Sequence, residues 1–163
     1  TGVHYTEGDK ITEIGAVKIV DGRIVDKFQT LVNPGVKISQ EITNLTGIDD
    51  EMVKDAPLAV DALVSFSEFA KDSILIAHNA NFDLNFISEE LARTKLPALK
   101  NKALDTLTFV RWAYPLLGKY NLQLMARLMN IEVTDAHRAF DDARVCMEVF
   151  KKTLSDTKPI QKH

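Results

Sequence analysis

Residues 10–34 leave the chain few ways to fold. The stretch KITEIGAVKIVDGRIVDKFQTLVNP places two β-rich runs around Asp21-Gly22, a dipeptide that favours a two-residue hairpin turn, and Pro34 closes the second run. After the hairpin the pattern changes period. Ser39, with Glu41 close behind, supplies helix-start chemistry, Thr46-Gly47 reads as a turn, and a short second helix follows. APLAVDALVSFSEFAKD is an amphipathic helix with Pro57 in its first turn. SILIAHN is a short buried strand that leads into a helix ending at Arg93. Beyond Pro97 come a brief strand and a helix stopped by Pro115, a helix capped by Asn121, and a long helix over AHRAFDDARVCMEVFKKTL. Antiparallel strands followed by strand–helix alternation predict an α/β fold, a mixed sheet with helices on both faces.

At 163 residues the chain suits one domain, expected over 1–154 with 155–163 as a tail or linker. No apolar run nears the ~20 residues of a membrane span, so no membrane is expected. The opening TGVHYTEGDK has no signal-peptide character, and a single cysteine, Cys146, excludes an internal disulfide. The cytoplasm is the expected compartment. A net charge of −3 excludes broad coating of nucleic acid by a basic surface; a nucleic acid would have to be gripped at a small site.

Two acids stand out. In IAHNANFDLNFISEEL, Asp83 projects between Phe86 and Ile87 at helical spacing, and an ionised carboxylate among apolar neighbours needs a partner or a cation. On the last helix, Ala139, Ala143, Cys146, Met147 and Phe150 mark an apolar face. Asp142 flanks that stripe, while Asp141, with Arg144 and Glu148, falls on the opposite face and reads as a solvated surface acid. His137 lies at the same helix end. Two half-buried carboxylates on separate helices suit Mg²⁺ or Mn²⁺, whose ligands are hard oxygens. Two such ions about 4 Å apart can clamp a phosphodiester. An imidazole nearby, titrating near neutrality, can take the proton of the attacking water.

The spacing of these letters resembles a known family. HNANFD, followed about fifty residues later by HRAFDD, resembles the second and third motifs of the DnaQ-like 3′→5′ exonucleases, the histidine subclass of the DEDD superfamily. His78, Asn79, Ala80, Phe82 and Asp83 match H-N-A-x-F-D; His137, Ala139 and Asp142 match H-x-A-x-x-D. The likeness runs from residue 1 to about 154 and is greatest to the proofreading exonuclease domain of PolC-type bacterial DNA polymerase III. It implies an RNase H-like fold and hydrolysis by two divalent ions, Mg²⁺ or Mn²⁺, which releases nucleoside 5′-monophosphates from the 3′ end of single-stranded or frayed DNA. It also implies a DNA polymerase III catalytic part as partner. In this reading Asp83 and Asp142 bind metal, His137 is the general base, and Asn79, Phe82, Leu45, Thr46 and Gly47 meet the substrate. The alternatives are an exoribonuclease of the same superfamily and a non-catalytic polymerase-interaction domain.

One departure bears on all of this. The family's first motif is D-x-E-T-T-G, and Thr1 and Gly2 would be its last two letters, with Glu two residues and Asp four residues upstream of Thr1. The resemblance therefore implies that the first, central strand is missing from the sequence.

Other residues have plainer readings. His78, at a strand end, is expected to be a hydrogen-bonded structural histidine and Glu13 a structural acid. Asp105 is divided between a helix cap and a supporting acid behind the metal ligands. Gly47 can serve a left-handed turn as readily as a substrate contact. Trp112 and Tyr114 read as boundary aromatics before base-stacking ones, and Cys146 as packing.

Overall fold

The computed structural model describes Thr1 and residues 4–157; Gly2, the last letter of the first-motif match, and 158–163, most of the expected tail, lie outside the described residues. The hairpin forms from β1 (Glu13–Val20) and β2 (Arg23–Leu31), antiparallel, with Glu13 opposite Leu31 and an irregularity between Lys18 and Ile19. Asp21 (φ 50°) and Gly22 (φ 76°) make the turn, both left-handed as a two-residue hairpin of the primed type requires.

The helices are α1 (Gln40–Thr46), α2 (Asp50–Val53), α3 (Ala59–Ala70), α4 (Ala80–Arg93), α5 (Thr106–Ala113), α6 (Leu122–Leu128) and α7 (Ala139–Thr157). Between them, β3 (Leu75–Ala77) and β4 (Ala103–Asp105) pair in parallel. Ser39 Oγ caps α1 by accepting from Ile42 N–H at 3.2 Å, and Asn121 Oδ1 caps α6 through Leu124 N–H at 2.9 Å. Pro57 lies just ahead of α3 rather than in its first turn.

The fold is α/β and RNase H-like, with both pairings that a mixed sheet requires. They form two separate two-stranded ladders, β1–β2 and β3–β4; no ladder joins them among the described residues.

Alternation along β1 places helices on both of its faces. Ile14 enters a core with Val32, Leu63 and Phe66 of the β2 end and α3, closed by Leu91 of α4. Its neighbour Gly15 turns the other way, against α7. A second core joins α5, α6 and α7 through Val110, Met125, Ala126, Val145 and Val149. A third and smaller one, Ile38, Ile42, Ile48 and Val53, holds α1 to α2.

The last helix differs from the sequence expectation in its end and its face. α7 runs to Thr157, past the expected helix end at Leu154, and Asp156 accepts from Tyr114 O–H at 2.6 Å. The apolar face of α7 is also turned. Val145, Cys146, Met147, Val149 and Thr153 are buried, since the helix meets β1 on one side and α5 and α6 on another.

Gly15 makes the β1–α7 approach possible. A Cβ there would stand 2.3 Å from Phe140 N and 2.4 Å from Ala139 C, atoms of a helix backbone that cannot swing aside. Gly15→Ala is expected to destabilise the fold by about 1–3 kcal/mol, the range for overpacking. Urea denaturation checks this; a midpoint equal to that of the wild type would disprove the tight contact.

Candidate active site

Asp83 and Asp142 arrive from different directions. Asp83 lies in the first turn of α4, a helix entered through Asn79 in the left-handed region at φ 68°. Asp142 lies in the first turn of α7, and its Oδ1 accepts from His137 N–H at 3.4 Å.

The electrostatics of the pair are those of a cation site. Asp83 is exposed rather than half-buried as expected, because the first turn of α4 faces outward; protein atoms near its carboxyl nonetheless raise it to about 6, with the charges of Asp142 and Asp105 adding to the rise. Burial also raises Asp142, with Asp141 and Glu13 adding to it, against the opposing pull of His137. No basic side chain bridges Asp83 and Asp142 among the described residues. Two hard-oxygen donors with no Lys or Arg paired to them among the described residues fit a divalent ion. Among the described residues no cluster of three or more metal-binding side chains is present, so the pair is a two-donor arrangement.

Three other acids behave oppositely. Asp105 Oδ1 accepts from Leu107 N–H and Asn79 N–H, each at 2.9 Å, and from Ala80 N–H at 3.3 Å. It therefore caps both α5 and α4, and these bonds outweigh burial and hold its carboxyl below the usual range. Glu13 accepts from Arg138 and from Ala139 N–H at 2.9 Å; burial pushes it up, and these partners bring it down. Glu13 is thus the structural acid expected.

Asp141 is not the solvated acid that the helical pattern suggests. It is 6% exposed. The segment before α7 folds back over that helix face, and Asp141 Oδ2 accepts from Thr134 N–H at 2.8 Å and Asp135 N–H at 2.9 Å. Arg144 Nε and Nη2 donate to Oδ1 at 2.9 and 2.7 Å. Burial pushes Asp141 up; the two amides and the guanidinium together hold it below its ordinary value.

His137 precedes α7, exposed, with φ 66°. His78 Nε2–H donates to Tyr120 O at 2.6 Å and its Nδ1 lies 2.9 Å from Thr106 Oγ1; burial lowers it, so it is a neutral structural group as expected. Thr106 Oγ1 lies 3.5 Å from Cys146 Sγ, whose thiol burial pushes up to about 11, consistent with packing rather than reactivity.

The expected substrate residues are dispersed. Asn79 is exposed, and its side chain makes no hydrogen bond among the described residues. Phe82 is 40% exposed with its ring 5.1 Å from that of Phe86, which in turn meets Tyr5 edge-on at 5.5 Å. Leu45 is exposed, Thr46 bonds locally to Ile42 and Ile48, and Gly47 takes the left-handed position that ends α1. No hydrogen bond ties 45–47 to Asp83 or Asp142 among the described residues. Trp112 is 69% exposed and stacks on Phe109, a surface position rather than a core one. The cap expected of Asp105 is present but serves a second helix that the sequence did not suggest, and the Asp141–Arg144 pair was passed over. The first has a local trace, an acid directly before a helix; the second has none.

The exonuclease family model (RNase_T) matches residues 1–150. The chain is 47% identical over 152 residues to the PolC-type DNA polymerase III of Caldanaerobacter subterraneus subsp. tengcongensis, which covers 93% of this chain and 11% of that protein. It is 40% identical over 151 residues to the DNA polymerase III subunit epsilon of Treponema pallidum, covering 91% of this chain and 70% of that subunit. The chain thus spans about a tenth of the PolC-type relatives. Among solved structures, Exonuclease X in complex with 5′ overhanging duplex DNA superposes with a TM-score of 0.73 at 25% identity, covering 90% of this chain and 84% of that one. E. coli exonuclease I in complex with a dA16 oligonucleotide gives 0.81 at 15% identity, over 96% of this chain and 39% of that one, and shares the fold.

The raised Asp83 carboxyl has a definite sign. A folded-state pKa above the unfolded one means that ionisation disfavours the fold. The cost is absent below about pH 4, grows as pH rises, and is complete above about pH 6. In metal-free protein, Asp83→Asn is therefore expected to melt above the wild type at pH 7.5 and together with it at pH 4. Calorimetric scans in EDTA check this; an equal difference at both pH values would disprove the raised carboxyl.

Proposed function

The chain belongs to the exonuclease family, and on that premise we propose that it is a metal-dependent 3′→5′ exonuclease acting on single-stranded or frayed DNA, with proofreading for a bacterial DNA polymerase III as its setting. The observation that carries the reading is the convergence of Asp83 and Asp142, two crowded carboxylates from separate helices, beside the loop that presents His137. The PolC-type and epsilon relatives support the polymerase setting.

Asp83 and Asp142 would hold divalent cations, expected as a pair of Mg²⁺ or Mn²⁺. Such ions, when bound, lower the pKa of water and stabilise charge on the leaving oxygen. The chain's own groups do the rest. His137, exposed at the cleft, takes the proton from the attacking water. Its backbone N–H on Asp142 keeps base and metal ligand in one register. Asn79, with an unengaged side-chain amide, and Phe82, with a half-open ring, border Asp83 and are suited to a terminal nucleotide: one offers hydrogen bonds, the other a face for stacking. Leu45, Thr46 and Gly47 remain expected substrate contacts in this reading. A site that grips only the last nucleotides needs no long basic track, which agrees with a net charge of −3.

The test is a time course on 5′-labelled single-stranded DNA with Mn²⁺, using the full-length chain. Shortening from the 3′ end, abolished in Asp83→Ala and Asp142→Ala, is expected. His137→Ala should lower kcat by about 10²–10⁴-fold, the usual contribution of a general base, and leave Mn²⁺ affinity unchanged. Loss of Mn²⁺ binding in that variant would make His137 a ligand instead. Faster digestion of labelled RNA than of DNA would transfer the activity to RNA.

A further inference from the structure

His137 stands on a segment, residues 132–138, without regular secondary structure, and its own backbone is in the left-handed region at φ 66°. A residue with a side chain occupies that region rarely unless its surroundings impose it. Here two carboxylates impose it from opposite sides. From within α7, Asp141 Oδ2 binds the amides of Thr134 and Asp135, and Arg144, paired with Asp141 Oδ1, reaches on to Glu132 O at 2.7 Å. From β1, Glu13 takes Arg138 in a fork, Nε to Oε2 at 3.1 Å and Nη2 to Oε1 at 2.9 Å, together with Ala139 N–H. Arg138 also approaches Asp135 at 3.8 Å. The Asp141 and Glu13 side chains are 9% and 4% exposed, so the bonds their carboxylates accept are partly screened from water and salt.

We propose that Asp141 and Glu13 are positioning residues for catalysis: together they brace the 132–138 loop so that the imidazole of His137 meets the water attacking at the Asp83–Asp142 cleft. Neither touches substrate. The proposal rests on the exonuclease reading and adds to it the reason that two acids are needed beside the first turn of α7 without being ligands. Both braces close on one short loop, and the imidazole that the loop carries is the group whose placement sets the rate. A displacement of about 1 Å at such a group costs about a hundredfold.

The experiment measures kcat and KM on 5′-labelled single-stranded DNA in the full-length chain, with titration of Mn²⁺ alone by calorimetry alongside. Asp141→Ala is expected to lower kcat by about a hundredfold, with KM and Mn²⁺ affinity within about twofold of the wild type. Asp141→Asn, which keeps an oxygen for the two amides, is expected to regain about tenfold of that loss. Glu13→Gln, which keeps its acceptors, should likewise exceed Glu13→Ala. An unchanged kcat in Asp141→Ala overturns the brace, as does a loss shared equally by kcat and Mn²⁺ affinity. If the alanine variants fail to fold, an intermediate kcat in Asp141→Asn and Glu13→Gln supports the proposal and a wild-type kcat in both overturns it. If the wild type shortens no strand, the exonuclease reading fails on its own. The brace is then read from amide hydrogen exchange at Thr134 and Asp135, expected to quicken at least about tenfold in Asp141→Asn relative to the rest of α7. Unchanged exchange would refute it.

Discussion

Everything at the site depends on how closely one strand and one helix approach. β1 and α7 meet backbone to backbone at Gly15, where no side chain would fit. Two residues earlier, Glu13 delivers its carboxylate to the α7 N-terminus, where an unpaired Ala139 N–H and the positive end of the helix dipole await an anion. The contact joins residues more than a hundred positions apart in the chain. It fixes where the first turn of α7 begins, and Asp142 is in that turn.

The acids around this contact sort themselves by their partners. Glu13, Asp105 and Asp141 are each supplied with backbone amides, and Glu13 and Asp141 with a guanidinium as well; all three lie below their ordinary values. Asp83 and Asp142 have thinner company and lie above theirs. One small region therefore keeps three carboxylates ionised for architecture and leaves two in surroundings that penalise their charge. The penalised pair is the one that a cation would relieve, which is how perturbed groups come to mark functional sites.

Local signals were the readable ones. The Asp21-Gly22 hairpin, the caps at Ser39 and Asn121 and the short strand before His78 all depend on neighbours within a few residues, and all stand where the sequence places them. Asp83 and Asp142 were legible because an acid at the edge of an apolar stripe is an anomaly at helical spacing. Asp141 was misread for the same reason. A helical projection treats the face opposite the core as water, whereas here the preceding segment folds over it and fills it with amides.

Asp105 extends this logic to how the chain can vary. A single oxygen, Oδ1, receives the amides that open α4 and the amide that opens α5. Both helices thus radiate from one atom, and their separation is independent of the length of the 94–102 connection that runs between α4 and β4. Changes of length in that connection therefore act at the far end of α4, where Leu96 and Leu99 pack on the first core and Asn101 bonds to Lys71 and Ser73, while the Asp83 end keeps its place.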